Sequence, residues 1–362
     1  MRRWLLPEHI EDVLPAEARA IERLRRAILD LFETHGYELV VPPLLEYLDS
    51  LLSGTGRDMD LATFKLVDQL SGRMLGVRAD HTPQVARIDA HLLNREGVAR
   101  LCYCGSVLHT RPAGMTKMRE PIQIGAELYG HAGLEADVEI VRLMIAALKR
   151  AGIGRPHVDL GNPAIYRAMA AGIPSEDAEA TFHAVQQKDA VGAGKLAVLT
   201  TLNGGADVLA KARKSLPGNT HKFLDELEKL AQLCATPGVD ITFDLAELGG
   251  FNYESGIVFA AFAQGSPDAI ARGGRYDEVG ASFGRARAAT GFTMDLRQLA
   301  RLAKNGETRS AILAPADADA QPAIDELRSK GEIVIVNLPG HDAKELGCDR
   351  RLEKKDGKWR VT

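Results

Sequence analysis

Residues 121–130 read Pro-Ile-Gln-Ile-Gly-Ala-Glu-Leu-Tyr-Gly, and no other stretch constrains the fold as tightly. Polar and apolar residues alternate with a period of two, which fits a half-buried strand and not a helix. The alternation places Gln123, Gly125, Glu127 and Tyr129 on one face and Ile122, Ile124, Ala126 and Leu128 on the other. On the first face a glycine separates an amide from a carboxylate. That gap leaves room for a ligand, although a solvated sheet face is the simpler reading of this segment alone.

The neighbouring segments extend the pattern. Residues 100–108 read as a second strand, and Thr63–Asp68 with Met74–Arg78 as an antiparallel hairpin. Ala16–His35 has Ile21, Leu24, Ile28, Leu31 and Phe32 at helical spacing and stops at Gly36. Thr82-Pro83 predicts a helix start with Thr82 as N-cap, and Glu135–Arg150 a further helix. Residues 256–263 read as a strand, 272–275 as a glycine turn, and about 292–302 as a helix. Strand runs mixed with helices indicate an α+β fold. The expected divisions are 1–163 (core, first part), 164–238 (helical insertion), 239–308 (core, second part) and 309–362 (a small C-terminal α/β module). In that module a hairpin over 350–361 turns at Asp356-Gly357.

Composition removes several functions. No apolar run reaches the ~18 residues of a membrane helix. The basic start Met1-Arg2-Arg3 meets Pro7 too early for a signal peptide, so a cytoplasmic location is expected. The four cysteines read as reduced structural thiols, and the scattered histidines lack metal-helix spacing. Neither a metal nor a cofactor is expected. The net charge of −4 does not suggest a nucleic-acid binder.

Two further segments carry chemistry. In Val77-Arg78-Ala79-Asp80-His81-Thr82 an acid and a hydroxyl end the hairpin and open a helix. Asp80 is suited to an ammonium group, unless it merely favours the helix dipole while Thr82 caps. Ala271-Arg272-Gly273-Gly274-Arg275-Tyr276-Asp277 joins glycines, arginines and a tyrosine without P-loop or dinucleotide spacing.

Taken in order, these segments resemble the class II aminoacyl-tRNA synthetase core, and within that class histidyl-tRNA synthetase. Gly36-Tyr37-Glu38 through Pro42-Pro43-Leu44-Leu45-Glu46 resembles the first class II motif, which builds the dimer interface. Arg78-Ala79-Asp80-His81-Thr82 resembles the stretch that binds the amino group of histidine. Residues 103–127 cover the second motif, Gly250-Phe251-Asn252-Tyr253 and Gly273-Gly274-Arg275-Tyr276-Asp277 resemble the two histidine-specific stretches, and Gly291–Leu296 falls at the third motif. The resemblance implies histidine-binding roles for Asp80, Thr82, Gln123, Glu127, Tyr253 and Tyr276. It leaves Arg111, Arg119, Arg272 and Arg275 as arginines suited to an anion, with Arg111, Arg119 and Arg275 singled out.

Departures from the synthetase pattern fall on its adenylation arginines. His109, Gly249 and Gln298 stand where three of them belong, and Glu254 replaces a tyrosine near the imidazole. About 52 residues follow Ser310, with nine Lys/Arg against ten Asp/Glu, in place of an anticodon-binding domain. A class II core, lost arginines and a short tail together resemble the family of ATP phosphoribosyltransferase regulatory subunits. Residues 66–73, 79–91, 106–114, 347–352 and 357–361 are similar to that family. The resemblance implies a non-catalytic subunit for the first step of histidine biosynthesis. Its partners would be the short-form catalytic subunit in a hetero-oligomer, a second copy in a class II-type dimer, and L-histidine as effector, with no membrane and no tRNA. The alternatives are an active histidyl-tRNA synthetase-like enzyme, or an amino-acid- or RNA-binding module derived from one.

Overall fold

The structure, a computed structural model, describes residues 4–112, 114, 118–249, 254–303, 310–340 and 343–362. The chain divides into two compact units, Met1–Lys304 and Asn305–Thr362. The large unit is built on a nine-stranded, mostly antiparallel sheet. From one edge its strands are Glu38–Leu39, Ala99–Ser106, Ile122–Tyr129, Ala289–Asp295 and Ala271–Arg275, then Val258–Phe262, His157–Gly161, Asp240–Asp244 and Asn203–Gly204. The period-two stretch is the third of these. Its apolar face, Ile124, Ala126 and Leu128, is buried under the helices Pro15–Thr34 and Leu134–Arg150 in the main core. The Pro15–Thr34 helix buries Ile21, Ile28 and Phe32 on one stripe, and the chain then turns at Gly36 with φ of 80°.

Three local expectations change. Residues 271–275 are a strand and not a turn. Their glycines serve close packing: a Cβ on Gly273 would run into the Gly291 carbonyl and the Phe259 ring. Residues 289–295 are a strand, and the helix begins only at Leu296, where Asp295 caps it by accepting from the Arg297 amide at 2.9 Å. Thr82 is not a cap. It is the first residue of the Thr82–Arg87 helix, and its hydroxyl points elsewhere. The Leu45–Tyr47 strand also joins the hairpin of Phe64–Val67 and Met74–Val77, making a three-stranded sheet.

Between the His157–Gly161 and Asp240–Asp244 strands the chain is mainly helical, from Pro163–Ala170 to His221–Cys234. The small unit has a four-stranded sheet with one long helix, Gln321–Ser329, over a core of Ile312, Ala314, Ile324, Val334 and Leu352. Its terminal hairpin turns at Asp356 and Gly357, both with positive φ. Among the described residues no helix is long and apolar enough to cross a membrane.

Candidate functional site

The polar sheet face forms a grid. Antiparallel register pairs Glu127 with Gly291 and Gly291 with Gly274. One row along, Gly125 pairs with Thr293 and Thr293 with Arg272. A third row pairs Gln123 with Asp295. The glycines form a floor, because side chains there would fill the space. A Cβ on Gly291 would overlap the Glu127 carboxylate itself.

Above this floor lies a cavity of about 160 Å³, below the ~300–1,000 Å³ of a drug-sized ligand site. Asp80, Thr82, Glu127 and Tyr276 line it together, although they come from four separate segments. Glu127 is the centre of the cluster. It is 1% exposed, and it accepts from the Thr82 hydroxyl at 2.8 Å and from the Tyr276 hydroxyl. The Tyr276 hydroxyl also lies 3.3 Å from that of Tyr129. Burial pushes the Glu127 carboxyl up to about 8, against the pull of the Tyr276 and Thr82 hydrogen bonds. Asp80 keeps some surface exposure, yet its enclosed carboxyl is also raised by burial, with the Thr82 and His81 amides pulling the other way.

Gln123 does not line this first cavity. Its side-chain oxygen accepts from the His81 amide at 3.2 Å and from His81 Nδ1 at 2.9 Å, so it ties the Asp80–Thr82 turn to the sheet. His81 stacks on Tyr103 with ring centres 4.6 Å apart. Burial lowers its pKa to about 4, so the ring is neutral near pH 7 and Nδ1 carries the donated proton. Gln123 lines a second, adjoining cavity of about 100 Å³.

His109 and Gln298 line that second cavity too. His109 Nε2 donates to the Ala79 carbonyl at 2.8 Å, and Gln298 donates to the Ser266 hydroxyl at 3.0 Å. Gly249 lies in the first cavity with φ of 63°, and the Glu254 carboxylate packs directly over its Cα.

The arginines separate. Arg275 does not reach either cavity. Its side chain points to the helix side of the sheet, pairs with Asp137 at 2.6 Å and donates to the His131 and Gly133 carbonyls. Arg119 donates to the His109 carbonyl at 3.0 Å and lies over the Phe64 ring. Arg111 is exposed on its loop. Tyr253 lies outside the described residues. Arg272 lines both cavities. Glu247 was not foreseen; the only signal was an acid inside the apolar run Leu245-Ala246-Glu247-Leu248. Among the described residues no His/Cys/Asp/Glu group is arranged to hold a metal ion.

Comparison with known proteins agrees along the whole chain. The family model described as histidyl-tRNA synthetase matches residues 9–299. The one described as ATP phosphoribosyltransferase subunit HisZ C-terminal domain matches residues 309–362. A Cupriavidus necator protein named ATP phosphoribosyltransferase regulatory subunit is 55% identical, across 99% of this chain and 98% of that one. A Bacillus halodurans crystal structure, described as an ATP phosphoribosyltransferase regulatory subunit/histidyl-tRNA synthetase, aligns with a TM-score of 0.81 at 27% identity, covering 95% of this chain and 96% of that one. The histidyl-tRNA synthetase of a Nostoc species aligns at 0.78 with 18% identity, over 99% and 97% of the two chains, a likeness of fold alone.

Proposed function

Because the chain belongs to the family of ATP phosphoribosyltransferase regulatory subunits, whose histidyl-tRNA synthetase-like core it shares, we propose that it senses L-histidine in the Asp80–Glu127–Tyr276 cavity and controls a catalytic partner. Its role is regulatory, in histidine biosynthesis. The partner in this reading is the short-form catalytic subunit, which joins ATP to phosphoribosyl pyrophosphate. No residue of this chain takes part in that transfer.

The observation that carries the reading is a split within one site. The amino-acid end keeps its acids and hydroxyls in contact, with Thr82 and Tyr276 both on Glu127. Asp80 and Glu127 suit an ammonium group and an imidazole N–H. The adenylation end lacks its arginines: His109 and Gln298 are turned to protein partners, and Gly249 has no side chain. Each lost transition-state donor costs about 10²–10³ in rate, though such losses need not multiply. A chain of this kind binds the amino acid without activating it.

Histidine regulates only if it binds the active and inhibited assemblies with different affinity. A class II-type dimer fits the first-motif segment, where Leu39, Val41, Leu44, Leu45 and Tyr47 are exposed apolar residues. Arg111 remains the candidate for an anion contact on the loop beside the second cavity. tRNA is not a partner in this reading, since the small unit has no basic excess for phosphate contacts.

Calorimetric titration of L-histidine, into the chain alone and into its complex with the catalytic subunit, tests the proposal. Binding is expected, and Asp80→Ala with Glu127→Ala should abolish it together with histidine inhibition of the complex. Absence of binding in both preparations would sink the sensor. Histidine-dependent pyrophosphate exchange by the chain would restore the synthetase alternative.

A further inference from the structure

Of the described side chains lining the first cavity, Asp80, Glu127, Glu247 and Glu254 are acids and Arg272 is the one cation. A phosphate or other anion would meet four acidic side chains there against one cation. A zwitterion has a different fit, because its cationic and anionic ends can be sorted. Asp80 and Glu127 mark one end of the cavity, and Arg272, with Glu247 beside it, stands apart from those two on the grid.

Register gives the separation. Arg272 is two strands across from the Gly125–Glu127 strand and one row along from Glu127. That is about 10 Å across and about 7 Å along, or roughly 12 Å between the two Cα atoms. Both side chains reach over the same glycine floor. The space left between their ends suits an amino acid with a nitrogen-bearing ring at one end and a carboxylate at the other.

Arg272 is also available in a way the neighbouring arginines are not. Its side chain is 52% exposed, whereas that of Arg275 is 10% exposed and closed within an ion pair. Its Nη1 meets Glu247 Oε1 at 3.4 Å, a long contact that engages one nitrogen of a group with five donors. Such a contact holds the guanidinium over the cavity and is readily exchanged for a bidentate carboxylate. At position 249 no arginine can take this task, since the residue is glycine and the Glu254 carboxylate covers it.

We infer that Arg272 anchors the carboxylate of the amino-acid ligand and thereby selects α-amino acids over their decarboxylated or reduced counterparts. The inference rests on the reading of the cavity as an amino-acid site. Arg272 is a binding residue here, and Glu247 competes with the ligand for its guanidinium.

Calorimetry on the full chain with L-histidine and L-histidinol as probes tests it, since histidinol replaces the carboxylate by a hydroxymethyl group. The wild type should bind histidine about tenfold or more tightly than histidinol, as a charge-assisted pair supplies. Arg272→Gln should bring histidine down to the histidinol level and leave histidinol unchanged. Glu247→Gln, which removes the competitor, should raise the histidine-to-histidinol ratio. An unchanged ratio in Arg272→Gln, or an unchanged or smaller one in Glu247→Gln, overturns the anchor while histidine sensing stands. A wild type that binds neither probe overturns the amino-acid reading itself, and the anchor with it.

Discussion

Burial, which pushes its carboxyl up to about 8, keeps Glu127 largely protonated near neutral pH, with Thr82 and Tyr276 sharing its oxygens. Two consequences follow from the sign of that shift. A carboxyl raised from its usual range to about 8 stabilises the fold below its unfolded pKa, and loses that contribution as pH climbs toward 8. Glu127→Gln removes the titration, so thermal melts of the empty protein from pH 5 to 9 should show the variant gaining on the wild type as pH rises. An imidazole N–H that donates to Glu127 reverses the preference by favouring the carboxylate. Histidine binding should therefore strengthen through pH 7–8 and release a proton, visible as a dependence of the calorimetric heat on buffer ionisation. Equal melts across the range, and no buffer dependence, would remove Glu127 from this role. Which residues share a site was legible here where types are chemically narrow. Asp80, Thr82, Glu127 and Tyr276 meet in one cavity, as the motifs implied. Arg275 and Arg272 could not be told apart in sequence, because two arginines three apart in a strand point to opposite faces only if the glycines between them are also in the strand.

At the scale of elements, the Leu134–Arg150 helix backs the strands that floor the first cavity and is fastened to them by a buried ion pair. Asp137 in its first turn meets Arg275 at 2.6 Å, with side chains 3% and 10% exposed. Removing one member of a buried pair leaves the other charge uncompensated. Asp137→Ala should cost about 3–5 kcal/mol in urea unfolding, and adding Arg275→Met should recover part of the loss. A loss within the ordinary surface range would show that the other contacts of Arg275, with Asp277 at 3.4 Å and with the His131 and Gly133 carbonyls, suffice. The elements themselves divide by the strength of their periodicity. The strand at residues 122–129 and the helices at 15–34 and 134–150 follow from apolar spacing. The strands at 271–275 and 289–295 do not, because their glycines answer to neighbouring backbones and to the Glu127 carboxylate, which lie far away in sequence.

Across the whole molecule, the buried clusters respect the division at residue 304. The buried clusters of the large unit end at Ala300 and Ala289, and that of the small unit starts at Ile312. All residues lining the first cavity belong to the large unit. A chain ending at Lys304 should therefore keep its main melting transition within a few degrees and keep histidine binding. Collapse of that transition would mean that the small unit completes the larger one. By itself the sequence determined the α+β class, the main helices, the terminal hairpin and the family, because these rest on local periodicity, on turn residues and on the order of motifs along one chain. Only the tertiary structure decided which side chains share the cavity, that Thr82 serves Glu127 and not a helix end, that Gln123 braces His81, and that Arg272 rather than Arg275 lines the cavity above the glycine floor. Those outcomes depend on sheet register and burial, which set distances between residues far apart in the chain.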